Sequence, residues 1–375
     1  MKNILVAGGA GYVGSHTCLR LREAGFRPVV YDDLSNGHEE FAKFGPLVCG
    51  DIRDADHLAW TFRRFQPDAV MHFAARIEVG ESVRDPAQCF DINVGGSATL
   101  FRAAREAGID KLVMSSTCAI FGEPESERLT EEHPQKPISP YGQSKKIVED
   151  MLLDLERFAG LRSARLRYFN AAGADPAGRL GERHDPETHL IPLALAAASG
   201  QNPNFRILGT DYDTRDGTAE RDFVHVLDLA DAHIRALRLL DSGAPGFGVN
   251  LGSGRGATVR EVERACARAV GATSPPKRRR GAPAIPQGWW PIPRARTPCS
   301  VGSPSVASTK SSVTPGPGTA AMRPSDCLTG WPDRRPMQSC SPALHTPALD
   351  PAPSSPRVSP GLKKAGAACP NANSM

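Results

Sequence analysis

The 375-residue sequence predicts an α/β fold, in which a parallel sheet is covered on both faces by helices. Short β-branched runs alternate with segments of helical period over the first 270 residues. A glycine-rich turn joins the first such run to the first helix. The alternation then stops abruptly near residue 270. The extended runs are Ile4–Ala7, Pro28–Tyr31, Ala69–Phe73, Lys111–Met114 and Ala164–Tyr168. The helical segments between them are Gly14–Ala24, Ala55–Phe65, Pro86–Ala107 and Tyr141–Phe158. After Tyr168 the pattern loosens: residues 170–217 read as Gly-, Pro- and Asp-rich loops around one helix near His189–Ala198. Leu227–Leu240 and Val259–Ala269 are helical again.

The overall net charge of +4 conceals a split. Residues 271–375 carry thirteen Lys and Arg against three Asp, a net of +10, which leaves −6 for the first 270. That last segment holds 20 of the 33 prolines and three of the four tryptophans, and no Phe, Tyr or Glu. Proline this dense ends helices and is barred from central strands, and so few apolar runs cannot offset chain entropy. We therefore expect residues 271–375 to be disordered. The run Lys277-Arg278-Arg279-Arg280 is read as a solvated stretch of a biased tail, so no nucleic-acid partner is expected. No apolar stretch is long enough to span a bilayer, and no membrane partner is expected. Five of the nine cysteines precede residue 271, with no metal-type spacing, which suits reduced thiols in a cytoplasmic protein; no metal is expected.

The first strand runs into Gly8-Gly9-Ala10-Gly11-Tyr12-Val13-Gly14 and then a helix. The leading glycines permit a tight turn, a middle glycine lets a pyrophosphate approach the backbone, and Gly14 lets helix and strand pack closely. The helix N-terminus offers N–H groups and a positive dipole end to phosphates. Asp32 and Asp33 follow at the end of the second strand, where a carboxylate accepts ribose hydroxyls and repels a 2′-phosphate. Strand context, glycines and acid together predict a Rossmann-type doubly wound sheet that binds NAD rather than NADP.

A second constellation carries acid–base chemistry. Ser115-Ser116 ends a strand and is followed by Thr117. Further on, Tyr141 and Lys145 stand four apart on a helix and so face the same way. A lysine ammonium and an oxidised nicotinamide both favour phenolate, so the Tyr141 pKa is expected to fall, with the Thr117 hydroxyl bonding the same substrate oxygen. Tyr-x-x-x-Lys alone is common on surface helices; the glycine turn and the Ser-Ser-Thr strand end give it meaning. The reading requires the Tyr141 oxygen beside Thr117, on the same edge of the sheet as residues 8–14.

With these pieces go His72-Phe73-Ala74-Ala75, Val79-Gly80-Glu81-Ser82-Val83, Pro140-Tyr141-Gly142-x-Ser144-Lys145, Arg167-Tyr168-Phe169-Asn170-Ala171-Ala172-Gly173 and Asp222-Phe223-Val224-His225-Val226-x-Asp228-Leu229-Ala230. In this order, from residue 2 to about 270, the chain resembles the nucleotide-sugar epimerases of the extended short-chain dehydrogenase/reductase family. The resemblance implies inversion at C4 of a UDP-sugar, with Tyr141 as base and acid, Lys145 tuning it and Thr117 at the family's Ser/Thr position. It implies NAD contacts from Gly8, Gly11, Tyr12, Val13, Gly14, Asp32, Asp33, Asn36, Asp51, Ile52, Phe73, Ala74, Ala75, Asn93, Ser115, Tyr141, Lys145 and Tyr168. It assigns substrate contacts to Thr117, Tyr141, Asn170, Leu190 and Arg221; His189 stands where the family frequently has Asn. A homodimer through Pro86–Ala107 and Tyr141–Phe158 is likewise implied. A dehydratase of the same fold commonly shows Asp-Glu after the Ser/Thr, whereas Cys118-Ala119 stand here. UDP-N-acetylhexosamine or UDP-pentose substrates, or an inactive NAD-binding protein, remain open.

The domain organisation expected is a NAD-binding domain over 1–169 with a later contribution from about 221–241, an incomplete substrate domain over 170–270, and the tail. By the resemblance, the chain after residue 270 should supply a strand, an Arg-Arg-x-Gly-Asp-type segment and closing helices. Arg278-Arg279-Arg280-Gly281 is instead followed by Ala-Pro. We read the break as a frame shift near residues 271–280 that weakens or abolishes activity, a hypothesis that an intact frame in the coding DNA would refute.

Overall fold

In the computed structural model the described residues are 1–125 and 129–271. The expectations for the tail lie outside them. The chain opens with β1 (Asn3–Ala7), α1 (Tyr12–Glu23), β2 (Arg27–Asp32), β3 (Leu47–Cys49), α2 (Ala55–Phe65) and β4 (Ala69–His72). Next come α3 (Val79–Arg84), α4 (Pro86–Phe90), α5 (Ser97–Glu106), β5 (Lys111–Thr117), α6 (Pro140–Ala159) and β6 (Arg162–Tyr168). The remainder is β7 (Asn170–Ala172), α7 (Leu190–Ala198), β8 (Glu220–His225), α8 (Val226–Asp241), β9 (Phe247–Leu251), β10 (Gly256–Thr258) and α9 (Val259–Ala269).

Seven strands form one parallel sheet in the order β3-β2-β1-β4-β5-β6-β9, the doubly wound arrangement expected. Both faces are buried because successive strand residues point to opposite sides. Leu5, Ala7, Val29, Tyr31, Val70, Leu112 and Met114 pack with Leu58 and Phe62 of α2, Leu100 and Phe101 of α5, and Leu152 of α6. Ile4, Val6, Val30, Met71, Val113 and Leu166 pack with Cys18 and Leu21 of α1 and Ile234, Leu237 and Leu240 of α8. A second sheet, β10-β8-β7, lies beyond β6, and a small core joins Leu190, Ile191 and Ala194 to Val262 and Cys266 of α9. Of its strands, β7 falls in and β8 just after a stretch read from sequence as loops around one helix, and β10 precedes α9.

The helix expected over Pro86–Ala107 is interrupted. Residues Asp91–Gly96 form a π-helical turn between α4 and α5. Asn93 is the cause we identify: its side chain is tied to the Arg76 backbone by bonds of 2.7 and 3.0 Å and to Ser144 Oγ at 2.9 Å. Gly96 lets Ile52 press against the widened turn; a Cβ there would stand 2.6 Å from the Ile52 side chain. Among the described residues no helix is long and apolar enough to cross a membrane.

Candidate active site

The strand order reverses direction between β1 and β4, so the loops after these two strands leave toward opposite sides and open a crevice at the sheet's carboxyl edge. Gly8, at φ +80°, begins the turn after β1. A Cβ on Gly8 would lie 2.4 Å from the Ala74 nitrogen, and one on Gly14 would lie 2.0 Å from the Gly8 oxygen. These two glycines are thus demanded by the chain's own packing. Gly11 differs, since a Cβ there would meet only the Gly8 oxygen, at 3.5 Å. It is also the N-cap of α1, with no side-chain cap and no acid in the first turn. An open floor before an uncapped helix N-terminus fits a dinucleotide's pyrophosphate.

The other expected cofactor residues surround this turn. Asp32 is buried at the end of β2 and accepts the N–H groups of Ala10 and Leu34, both at 2.9 Å; burial raises its carboxyl pKa while these bonds oppose the rise. Asp33 is exposed and holds Ser35, and Asn36 lies 3.4 Å from Glu78. A cavity of about 440 Å³ opens beside this loop, lined by Gly37, His38, Glu39, Glu40 and Arg183. Asp51 is bonded to Arg53, which holds its carboxyl below the ordinary range, and Ile52 is core. Phe73 stacks on His233 with ring centroids 4.7 Å apart; Ala74 donates its N–H to Ala7 O, and Ala75 follows in the loop. Tyr12 and Val13 begin α1; the Tyr12 hydroxyl donates to Gly173 O at 2.6 Å, joining the turn to the chain beyond β7. Asn93 is buried with its polar atoms engaged as described.

The acid–base residues converge on the same edge. β5 ends in Ser115, Ser116 and Thr117, and β6 places Tyr168 directly opposite Thr117. Ser115 Oγ and Tyr168 Oη are 2.6 Å apart. Proline at the first turn and Ser139 as N-cap start α6 so that Tyr141 faces this strand end. The Tyr141 hydroxyl lies near enough to the Thr117 side chain for that group to favour its ionised form. Lys145, one turn on and 3% exposed, donates from Nζ to the Ser115 carbonyl at 3.0 Å.

The electrostatics depart from expectation. The Tyr141 phenol is pushed up rather than down: burial dominates, neighbouring Tyr168, Cys89 and Glu78 add to it, and only the Thr117 side chain pulls the other way. Burial lowers the Lys145 amine to about 8. Its charge is directed at the Ser115 carbonyl, so it does not overcome the phenol's desolvation. Burial likewise raises Tyr168 to about 12.

The expected substrate residues lie beyond β6. Asn170 on β7 donates to Asp222 O at 3.0 Å, and Leu190 begins α7. Arg221 on β8 is partly buried, donates to Glu220 O at 2.9 Å, and is ion-paired with no carboxylate among the described residues. Burial lowers its pKa, as for a cation whose counter-ion is not supplied locally. Sequence reasoning missed two supporting residues. Ser82 Oγ accepts the Tyr141 N–H at 3.2 Å, and Glu78 bears on both Tyr141 and His184. Both lie in or next to the Val79–Val83 segment, which was already part of the resemblance.

Residues 4–252 match the NAD dependent epimerase/dehydratase family. The chain belongs to that family. It is 59% identical over 260 residues, 69% of this chain and 79% of the relative, to the UDP-glucose 4-epimerase of Rhizobium meliloti. It is 55% identical to that of Rhizobium leguminosarum over 261 residues, 70% of this chain and 80% of the relative. Among solved structures it is similar to UDP-glucose 4-epimerase from Brucella ovis in complex with NAD. That likeness has a TM-score of 0.70 at 48% identity and covers 72% of this chain and 82% of that one.

Proposed function

We propose that the chain is a NAD-dependent UDP-sugar 4-epimerase that interconverts UDP-glucose and UDP-galactose. The observation that carries the reading is the convergence of Thr117 and Tyr141 at the carboxyl end of β5, with Lys145 and Ser115 behind them, on the sheet edge that bears the glycine turn. NAD, when bound, supplies the hydride acceptor and donor. Gly8, Gly11, Tyr12, Val13, Gly14, Asp32 and Asp33 would hold it, with Asn36, Asp51, Ile52, Phe73, Ala74, Ala75, Asn93, Ser115, Tyr141, Lys145 and Tyr168 along its length. Tyr141 takes the proton of the sugar's 4-hydroxyl and later returns it, while Thr117 orients the shared oxygen. The guanidinium of Arg221, which has no carboxylate partner among the described residues, anchors the UDP with Asn170 and Leu190. The anchoring energy thus sits on groups that do not react, which leaves the sugar free to present either face.

We further propose a cytoplasmic homodimer with activity lowered by the altered sequence after residue 270. The exposed Leu153 and Phe158 of α6 support the homodimer. The test is to purify the full chain, release bound nucleotide with acid, and incubate with UDP-galactose in a coupled UDP-glucose assay. We expect released NAD and a slow conversion abolished by Tyr141→Phe. Conversion no faster than that of the Tyr141→Phe protein would overturn the enzyme reading. Activity equal to that of the Rhizobium meliloti relative would overturn the proposed impairment.

A further inference from the structure

The loop between β7 and α7 carries Glu182-x-His184-x-x-Glu187-x-His189, outside the acid–base machinery. One ligand atom from each of these four side chains lies within 4.8 Å of the other three. The close approaches form the edges of a small polyhedron. His184 Nδ1 is 3.4 Å from Glu187 and 3.8 Å from Glu182, while His189 Nδ1 is 3.2 Å from Glu187 and 3.5 Å from Glu182. Four N and O ligands at zinc distances of about 2.0–2.1 Å in a tetrahedron stand about 3.3 Å apart. Most of these edges are thus already near the bonded spacing; the His189–Glu187 edge is also a hydrogen bond, and Glu187 Oε1 accepts the N–H groups of Thr188 and His189 as well.

Two independent observations point to a ligand at this cluster. The His184 Nδ1 atom is buried and has no hydrogen bond of good geometry, although carboxylates flank it at 3.4 and 3.8 Å. The carboxylates themselves lack a permanent counter-charge, since among the described residues neither Glu182 nor Glu187 is ion-paired with a lysine or arginine. The imidazoles of His184 and His189 lie side by side, with centroids 4.4 Å apart and planes tilted by 42°.

From this geometry we infer a binding site for one divalent transition cation of the zinc class, built by Glu182, His184, Glu187 and His189. Two imidazoles and two carboxylates are a donor set such ions favour over Mg²⁺ or Ca²⁺. The ion fixes the loop that leads into α7. His184 packs edge-on against Tyr12 at 6.4 Å, so the same ion fastens this loop to the glycine turn. The inference needs neither a UDP-sugar nor turnover, and it stands or falls apart from the proposed function.

Co²⁺ alone tests it, added to the full chain after chelation and followed by visible absorption and equilibrium dialysis, with Zn²⁺ as competitor. The expected result is one ion per chain, intense d–d bands of a tetrahedral N/O site without thiolate charge-transfer absorption, and displacement by Zn²⁺. Glu187→Gln should weaken binding at least ~10-fold, and His184→Gln with His189→Gln should abolish it. Far-UV circular dichroism checks that both proteins are folded, and the milder Glu187→Gln decides the matter if the double variant is not. Absence of the tetrahedral bands, bands accompanied by thiolate absorption, or affinity unchanged in Glu187→Gln would each overturn the site.

Discussion

Glu149→Gln gives a demanding test of how the acid–base edge is supported. Glu149 on α6 is 1% exposed and meets Arg167 of β6 in a two-pronged pair, at 2.6 Å from Nη2 and 3.0 Å from Nε. It also accepts the Ser116 hydroxyl, so one carboxylate ties α6 to the two strands that carry Thr117 and Tyr168. Arg167 is 8% exposed and lies over the Phe121 ring at 5.5 Å, with little water to take up its charge. Removing one partner of a buried pair costs about 3–5 kcal/mol, chiefly because the other charge is left uncompensated. Glutamine keeps the shape and one accepting oxygen, so the lower end, about 3 kcal/mol, is expected. For a chain of this size that lowers Tm by about 6–12 °C in a thermal melt followed by circular dichroism. Adding Arg167→Met removes the stranded charge and should restore about half of the loss. A drop under ~2 °C for Glu149→Gln, or a double variant less stable than the single one, would refute this account of the network.

Three further outcomes follow from the site. Tyr141→Phe removes one hydroxyl and should lower epimerisation about 10²–10⁴-fold in the coupled assay with Tm unchanged; a tenth of the activity remaining would exclude Tyr141 as base. Arg221→Ala should raise KM for UDP-galactose about 10–100-fold, the effect of losing one charge-assisted contact, and an unchanged KM would remove Arg221 from the substrate site. Lys145 has a folded pKa near 8 against an ordinary 10.5, so the unfolded chain gains a proton that the folded chain refuses between these values. Stability therefore falls as pH drops from about 10.5 toward 8; the difference in unfolding free energy between wild type and Lys145→Met should vary with pH across that window, and a constant difference would negate it.

What was legible in the sequence depended on how local the cause was. The strands β1, β2, β4, β5 and β6 announce themselves as β-branched runs because both of their faces are buried. The glycine turn could be placed because Gly14 answers to Gly8 and Gly9 within the turn itself, whereas the demand on Gly8 comes from Phe73 and Ala74, which only the folded sheet brings to it. β7 and β10 are three residues long and owe their pairing to β8, a partner remote from β10 in sequence, so no periodicity reveals them. The break in the helix at Asp91–Gly96 was hidden for a related reason. Asn93 acts through Arg76 and Ser144, which only the folded chain brings to it. The Glu182–His189 spacing was readable but passed over, because the search for metal ligands followed cysteine spacing.

The pKa of Tyr141 shows where sequence logic and structure part. A lysine four residues on was sufficient reason to expect an acidic phenol, since on an exposed helix the two heads would share solvent and field. Here α6 is pressed against β5, so the same i, i+4 geometry carries both groups into the protein. Desolvation then acts on each in the direction that opposes ionisation, raising the phenol and lowering the amine. Burial thus keeps the phenol protonated and brings the amine down to about 8, where it still carries charge at neutral pH, and the Thr117 side chain is the contribution from this chain that favours phenolate. Any positive charge arriving beside Tyr141 acts where little water screens it, so its effect is far larger than at a surface. A base built this way is weak until a cationic group is seated next to it, which ties proton abstraction to occupancy of the crevice above the glycine turn.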